Sequence, residues 1–143
     1  MAVHVLVVLA YKEGDRVTSA MLARSVNTNP VIIRRLLLAL QRSGLVETRK
    51  GAGLGSRLSC SPARINLADV CRAVGAEEAF AMPRGKPNPA CPVGHCIKSV
   101  LQRVFRSAKQ SLLEDLEQRT LAGIVETVRR SCGQGSGRRA RRA

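Results

Sequence analysis

The sequence predicts a mainly α-helical protein: a winged helix-turn-helix with a small β-hairpin wing, followed by a long C-terminal dimerisation helix. Three observations carry the prediction. Three helical stretches fill the first 44 residues. A hairpin pattern with a basic, glycine-rich tip follows them at once. Farther on, residues 93–118 hold one apolar stripe longer than a small domain is wide.

Each element has a local reason. "AVHVLVVLAY" is almost entirely apolar, which predicts a buried helix with His4 in a structural role. Gly14 and Asp15 make a turn. Thr18 can cap the next stretch, "SAMLARSV", and Met21, Leu22 and Val26 share one face. Asn29 followed by Pro30 starts the third helix, because Asn accepts from orphan amides and Pro suits the first turn. Along that helix Ile33, Leu36, Leu37 and Leu40 keep the spacing of a core face, while Val31, Arg34, Arg35 and Leu38 fall off it. Gly44 ends it. "LVETR" alternates like a strand, "KGAGLGS" is a turn and "RLSC" a return strand.

Asn66 then caps a short helix whose apolar side is Leu67, Val70 and Val74, with Asp69 suiting its N-terminal turn. Four prolines (Pro83, Pro87, Pro89, Pro92) make residues 79–95 a loop. The long helix runs from about Val93 to Gln118 with the stripe Ile97, Val100, Leu101, Val104, Phe105, Ala108, Leu112 and Leu116. "TLAGIVETV" forms a last short helix, and the Gly- and Arg-rich end is expected to be disordered. The expected organisation is a DNA-binding domain over 1–62, a connecting helix and proline-rich loop over 63–95 as the sensor region, dimerisation helices over 96–130, and an Arg-rich tail over 131–143.

The chain has 143 residues and a formal net charge of +14, which favours a polyanionic partner. The charge sits at the ends: net +6 over residues 1–62, +2 over 63–128 and +6 over 129–143. No apolar run reaches the roughly 18 residues of a membrane span, so a soluble, cytoplasmic protein is expected. Only Tyr11, Phe80 and Phe105 are aromatic. That weakens the alternative of a nonspecific RNA- or ribosome-associated protein, which would stack bases on aromatic rings. No nucleophile–base pair or metal pair points to an enzyme, and no "GK[ST]" closes the glycine run as a phosphate loop would require.

The first half is expected to bind double-stranded DNA. The major groove admits one helix, and a helix-turn-helix presents the start of its second helix to base edges. Asn27, Thr28 and Asn29 stand at that start, with Val31 and Arg34 next on the exposed face. An arginine there can hold guanine through two hydrogen bonds, worth about 1–3 kcal/mol of discrimination. Arg35 and Arg42 suit phosphates. Arg49, Lys50 and Arg57 bracket a glycine-rich tip narrow enough for a minor groove, where basic side chains meet enhanced negative potential. The long helix spans about 39 Å, so a second copy is its natural partner. A two-fold homodimer would then meet a near-palindrome.

"SVNTNPVIIRRLLLALQRSGLVETRKGAGLGSRLS", "INLADVCRAV" and "NPACPVGHCI", in that order, resemble the IscR-like (Rrf-type) bacterial transcriptional regulators, nearest their YwnA-like branch. The resemblance covers about residues 2–128. It implies a homodimer with a crossed long helix that binds promoters, usually as a repressor. It does not extend to the Arg-rich tail, and family members carry several more residues before the first helix.

Cluster-binding members use three cysteines between the connecting and long helices, whereas this chain offers Cys91 and Cys96 there, with none near Gly85. Cys71 lies earlier, on a helix, where packing suits it. Four readings of the pair stay open. The two thiols can form a redox switch, with the helix dipole favouring the Cys91 thiolate. They can simply start a helix, with Cys91 packing as a small apolar residue. Ranked below these are an iron–sulfur cluster, which needs more ligands, and zinc on Cys91, His95 and Cys96, whose last two residues are adjacent. No cofactor is required by the main reading.

Overall fold

The computed structural model of the protein describes residues 1–12, 14–49, 51, 54–75, 85 and 87–139, with residues 133–139 described by their backbone alone. The elements run α1 (Ala2–Tyr11), α2 (Ser19–Val26), α3 (Pro30–Arg42), β1 (Val46–Thr48), β2 (Ser56–Leu58), a 3-10 turn (Pro62–Arg64), α4 (Leu67–Ala73), α5 (Pro92–Glu117) and α6 (Leu121–Arg139). Among the described residues, no helix is long and apolar enough to cross a membrane.

The core gathers residues from both ends of the chain. Leu6 and Leu9 of α1, Leu22 of α2, Ile33 and Leu40 of α3, Ile65, and Leu121 of α6 are almost fully buried together. Such side chains each contribute about 1.5–3 kcal/mol by leaving water. Because α6 returns to this core, the head is closed by residues from beyond the long helix.

The helix boundaries follow their caps. Thr18 Oγ1 accepts from the Met21 amide at 3.2 Å, Asn29 Oδ1 from the Val31 amide at 2.8 Å, and Asn66 Oδ1 from the Asp69 amide at 2.8 Å. α2 stops at Asn27, whose φ of 58° breaks the helix in the left-handed region. The Thr28 amide then closes onto the Ala23 carbonyl at 2.9 Å. This fixes the tight turn that separates α2 from α3.

Three expected faces are corrected. His4 is exposed rather than buried, with Nε2 3.2 Å from Ser25 Oγ, because one side of α1 faces outward. Met21 is exposed, and Ala23 takes the core position beside Leu22. Val74 is exposed, and Ala68 is buried in α4 instead.

β1 and β2 pair antiparallel in the register Val46↔Leu58, Glu47↔Arg57 and Thr48↔Ser56. The return strand thus starts at Ser56, one residue before the expected "RLSC". Val17, just before α2, adds a bridge on the other side of Ser56: its amide donates to the Ser56 carbonyl at 2.9 Å, and the Ser56 amide donates to the Val17 carbonyl at 2.8 Å. The buried Ser56 hydroxyl is satisfied by Thr48 Oγ1 at 2.8 Å. Gly55 has no room for a side chain, since a Cβ there would lie 2.5 Å from the Val17 carbonyl oxygen.

α5 starts at Pro92, so His95 lies within the helix rather than the loop; residues 76–84 and 86 of that loop fall outside the described residues. No residue of α5 is buried. Its C-terminal root is nonetheless fastened to the head. The Leu67 amide donates to the Arg119 carbonyl at 2.9 Å, and the Leu121 amide to the Ile65 carbonyl at 2.8 Å. Arg72 of α4 reaches Glu117 of α5 and also Asp69, the latter at 3.1 Å. The backbone of α6 continues to Arg139, into the segment whose composition suggested disorder. An established helix adds each residue for one hydrogen bond without a new nucleus, so it can run on through such a sequence.

Candidate nucleic-acid interface

α3 divides cleanly into two faces. Ile33, Leu37 and Leu40 are buried, whereas Val31, Ile32, Arg34, Arg35 and Leu38 are exposed. At 100° per residue, Val31, Arg35 and Arg42 lie within about 30° of the direction opposite the core, and Leu38 within about 50°. Arg34 lies off to the side of the wing. There, with Leu38, Gln41, Thr48, Arg49 and Leu54, it lines an open cleft of about 430 Å³ between α3 and the hairpin. Arg34 and Arg49, expected at two separate contacts, therefore share one surface.

At the start of α3 the expected contact residues differ in freedom. Asn27 is exposed at the left-handed turn, Thr28 is half-buried, and the Asn29 side-chain oxygen is committed to the helix cap. On the wing, Arg49 is exposed at the end of β1. Arg57 sits on β2, half-exposed, with its Nε donating to Glu47 Oε1. Lys50 lies outside the described residues.

Glu47 was not singled out in the sequence, and it organises the wing base. Besides Arg57, directly across the hairpin, it accepts from Arg16 at 2.6 Å. Arg16 also donates to the Gly55 carbonyl at 3.3 Å. One carboxylate thus holds two arginines from separate segments and sets where Arg57 can reach. The available signal was the lone acid in a basic hairpin, but its two partners depend on strand register and on the path of the α1–α2 connection.

The hydrogen bond from Arg57, then that from Arg16, holds the Glu47 carboxyl below the usual glutamate range despite partial desolvation. A carboxyl so lowered adds stability above its unfolded-state value and loses it as pH falls through the lowered one. Thermal melts should therefore weaken as pH drops below about 4, and part of that slope should vanish in Glu47→Gln. An unchanged slope in the variant would mean that the trio does not stabilise the fold.

Cys91 is the residue preceding α5, and Cys91, His95 and Cys96 are all exposed. Within the chain Cys91 therefore does not pack as a small apolar residue. Nor do the three converge: among the described residues, no three His, Cys, Asp or Glu side chains are placed to hold a metal ion. Residues 95 and 96 point about 100° apart on the helix, which separates the last two donors. Among the described residues, one chain therefore does not bring these donors together on a single ion. Cys60 and Cys71 are half-buried, and Cys60 packs against the core.

Comparison with known proteins agrees with the helix-turn-helix and its wing. The family model described as Rrf2, iron-dependent transcriptional regulator, matches residues 1–127. YwnA of Bacillus subtilis (strain 168), assigned as an HTH-type transcriptional regulator, is 34% identical over 125 residues, covering 87% of this chain and 92% of YwnA. A crystal structure of a protein assigned as DNA-binding superposes with a TM-score of 0.68 at 32% identity, covering 86% of this chain and 94% of the other. T. potens IscR has the same fold, with a TM-score of 0.67 at 21% identity over 91% of this chain and 84% of its own. With its helix-turn-helix, basic hairpin and long trailing helix in the same order, this chain belongs to the Rrf2 family of transcriptional regulators.

Proposed function

We propose that this protein acts in the cytoplasm as a homodimeric repressor, binding a near-palindromic operator through α3 and the wing of each subunit. The observation that carries the dimer is α5. It is a 26-residue helix with no buried residue, and Val93, Val104 and Leu112 are 66%, 54% and 46% exposed. Apolar surface of that extent on one helix calls for a partner. A second α5 is the symmetric solution and brings two recognition helices onto one face of the duplex.

DNA contact divides between two groups. Val31 and Arg34, with Asn27 and Thr28 beside them, reach base edges and adjoining phosphates at the start of α3. Arg35, Arg49, Lys50 and Arg57 act on the backbone and the minor groove. Cys91 and Cys96, exposed where α5 begins, suit a thiol switch that alters the pairing of the two heads. Footprinting on the protein's own promoter region should reveal a protected near-palindrome, and uniform binding to any duplex would refute the proposal.

The two groups should separate by mutation. Arg34→Ala is expected to relax sequence preference, at about 1–3 kcal/mol for the base pair it reads. Lys50→Ala should instead weaken binding to all sequences alike and lower the salt dependence by about one phosphate contact. Equal small effects from both, in anisotropy titrations at two salt concentrations, would contradict the assigned faces.

A further inference from the structure

We infer that Val31 determines operator specificity by packing its isopropyl group on the 5-methyl group of a thymine, so that each half-site carries a thymine where the first turn of α3 meets the bases. The inference rests on reading α3 as the recognition helix. Val31 lies in the first turn of α3, opposite the core, and is 46% exposed. It is not part of the core cluster of the head. Its backbone is held in place by the 2.8 Å bond from its amide to Asn29 Oδ1. A β-branched side chain in a helix has one dominant χ1 rotamer, so its two methyl groups are presented in a defined direction with little entropy left to lose.

The chemistry of the groove selects the partner. Among the four unmodified bases, thymine alone presents a methyl group on the major-groove edge. Valine offers no donor or acceptor, so pressed against guanine, adenine or cytosine it would leave their polar edges without partners and without water. Arg34 and Arg35 follow one turn later and are exposed, which sets cationic groups for guanine and phosphate beside an apolar one for thymine. Leu38 shares the outward face but lies about 10 Å farther along the axis, where a helix docked by its N-terminus has moved away from the base edges.

The test uses duplexes enriched from a random pool by the full-length protein, with each thymine replaced in turn, symmetrically in both half-sites, by deoxyuridine. This removes one methyl group and no hydrogen-bonding atom. Anisotropy titrations should find one thymine pair whose replacement weakens binding about fourfold per half-site, the value of one buried methyl. Val31→Ala keeps helix propensity at an exposed position, so circular dichroism should be unchanged, and it should bind the thymine and deoxyuridine duplexes equally. Indifference of the wild type to every replacement would overturn the inference while leaving the operator reading intact, as would full discrimination retained by Val31→Ala. A pool that enriches no sequence would overturn both.

Discussion

Val104→Asp is expected to convert the protein to a monomer in sedimentation velocity at micromolar concentration and to weaken operator binding by about 10²- to 10⁴-fold. Val104 is near the middle of the α5 stripe and 54% exposed in the single chain. In a two-fold dimer the substitution buries a carboxylate from each copy without a partner, at several kcal/mol per ion. The loss in binding is that of bivalency: two heads joined by α5 meet the second half-site at a high effective concentration, and a separated head does not. The head should keep its thermal unfolding transition, because no α5 side chain is part of its core. Gln102→Asp, at an exposed polar position, adds the same charge and should leave both properties unchanged. Persistence of the dimer in Val104→Asp would remove α5 as the assembly element.

Gly55→Ala should destabilise the protein by about 1–3 kcal/mol, as overpacking does, and uncouple the wing from the head. The new Cβ would stand 2.5 Å from the Val17 oxygen and 2.7 Å from its carbonyl carbon. These are backbone atoms that cannot rotate aside. Separation would cost both hydrogen bonds between Val17 and Ser56 and the reach of Arg16 to the Gly55 carbonyl. DNA affinity should fall with stability, since the wing base carries Arg49 and Arg57. The same substitution at Gly123, where a Cβ meets only Thr120 Oγ1 at 3.6 Å, should be neutral or slightly stabilising. A Gly55→Ala protein that melts at the wild-type temperature would mean that the bridge to Val17 is not needed.

These two positions also mark what sequence reasoning can reach. The α5 stripe was legible because it is a local periodicity, and the ends of α2, α3 and α4 were legible because Thr18, Asn29 and Asn66 cap through bonds to residues two or three places on. The outward placement of Val31 and Arg35 followed from the helix period alone. What escaped was set by distant neighbours. His4 and Met21 sit in apolar surroundings in the sequence, yet each faces outward because the core approaches its helix from another side. Glu47 is an ordinary strand residue until the hairpin register places Arg57 opposite and the α1–α2 connection brings Arg16 alongside. The closeness of Gly55 to Val17 joins segments 38 positions apart in the chain. The sharing of one cleft by Arg34 and Arg49 likewise appears only when the wing folds beside α3.

The root of α5 has a consequence for the operator. Main-chain bonds at Arg119 and Leu121 and the contact between Arg72 and Glu117 tie this helix to its own head, so in the proposed dimer each α5 would carry its own recognition helix with it. At about 39 Å of length, a turn of 10° at the root displaces the far end by roughly 7 Å, the rise of two base pairs. In the proposed dimer the helix would act as a ruler for the distance between half-sites, calibrated at its root. An operator lengthened by one base pair would then change both the reach and the phase asked of the two heads, and the bonds at the root would resist that change.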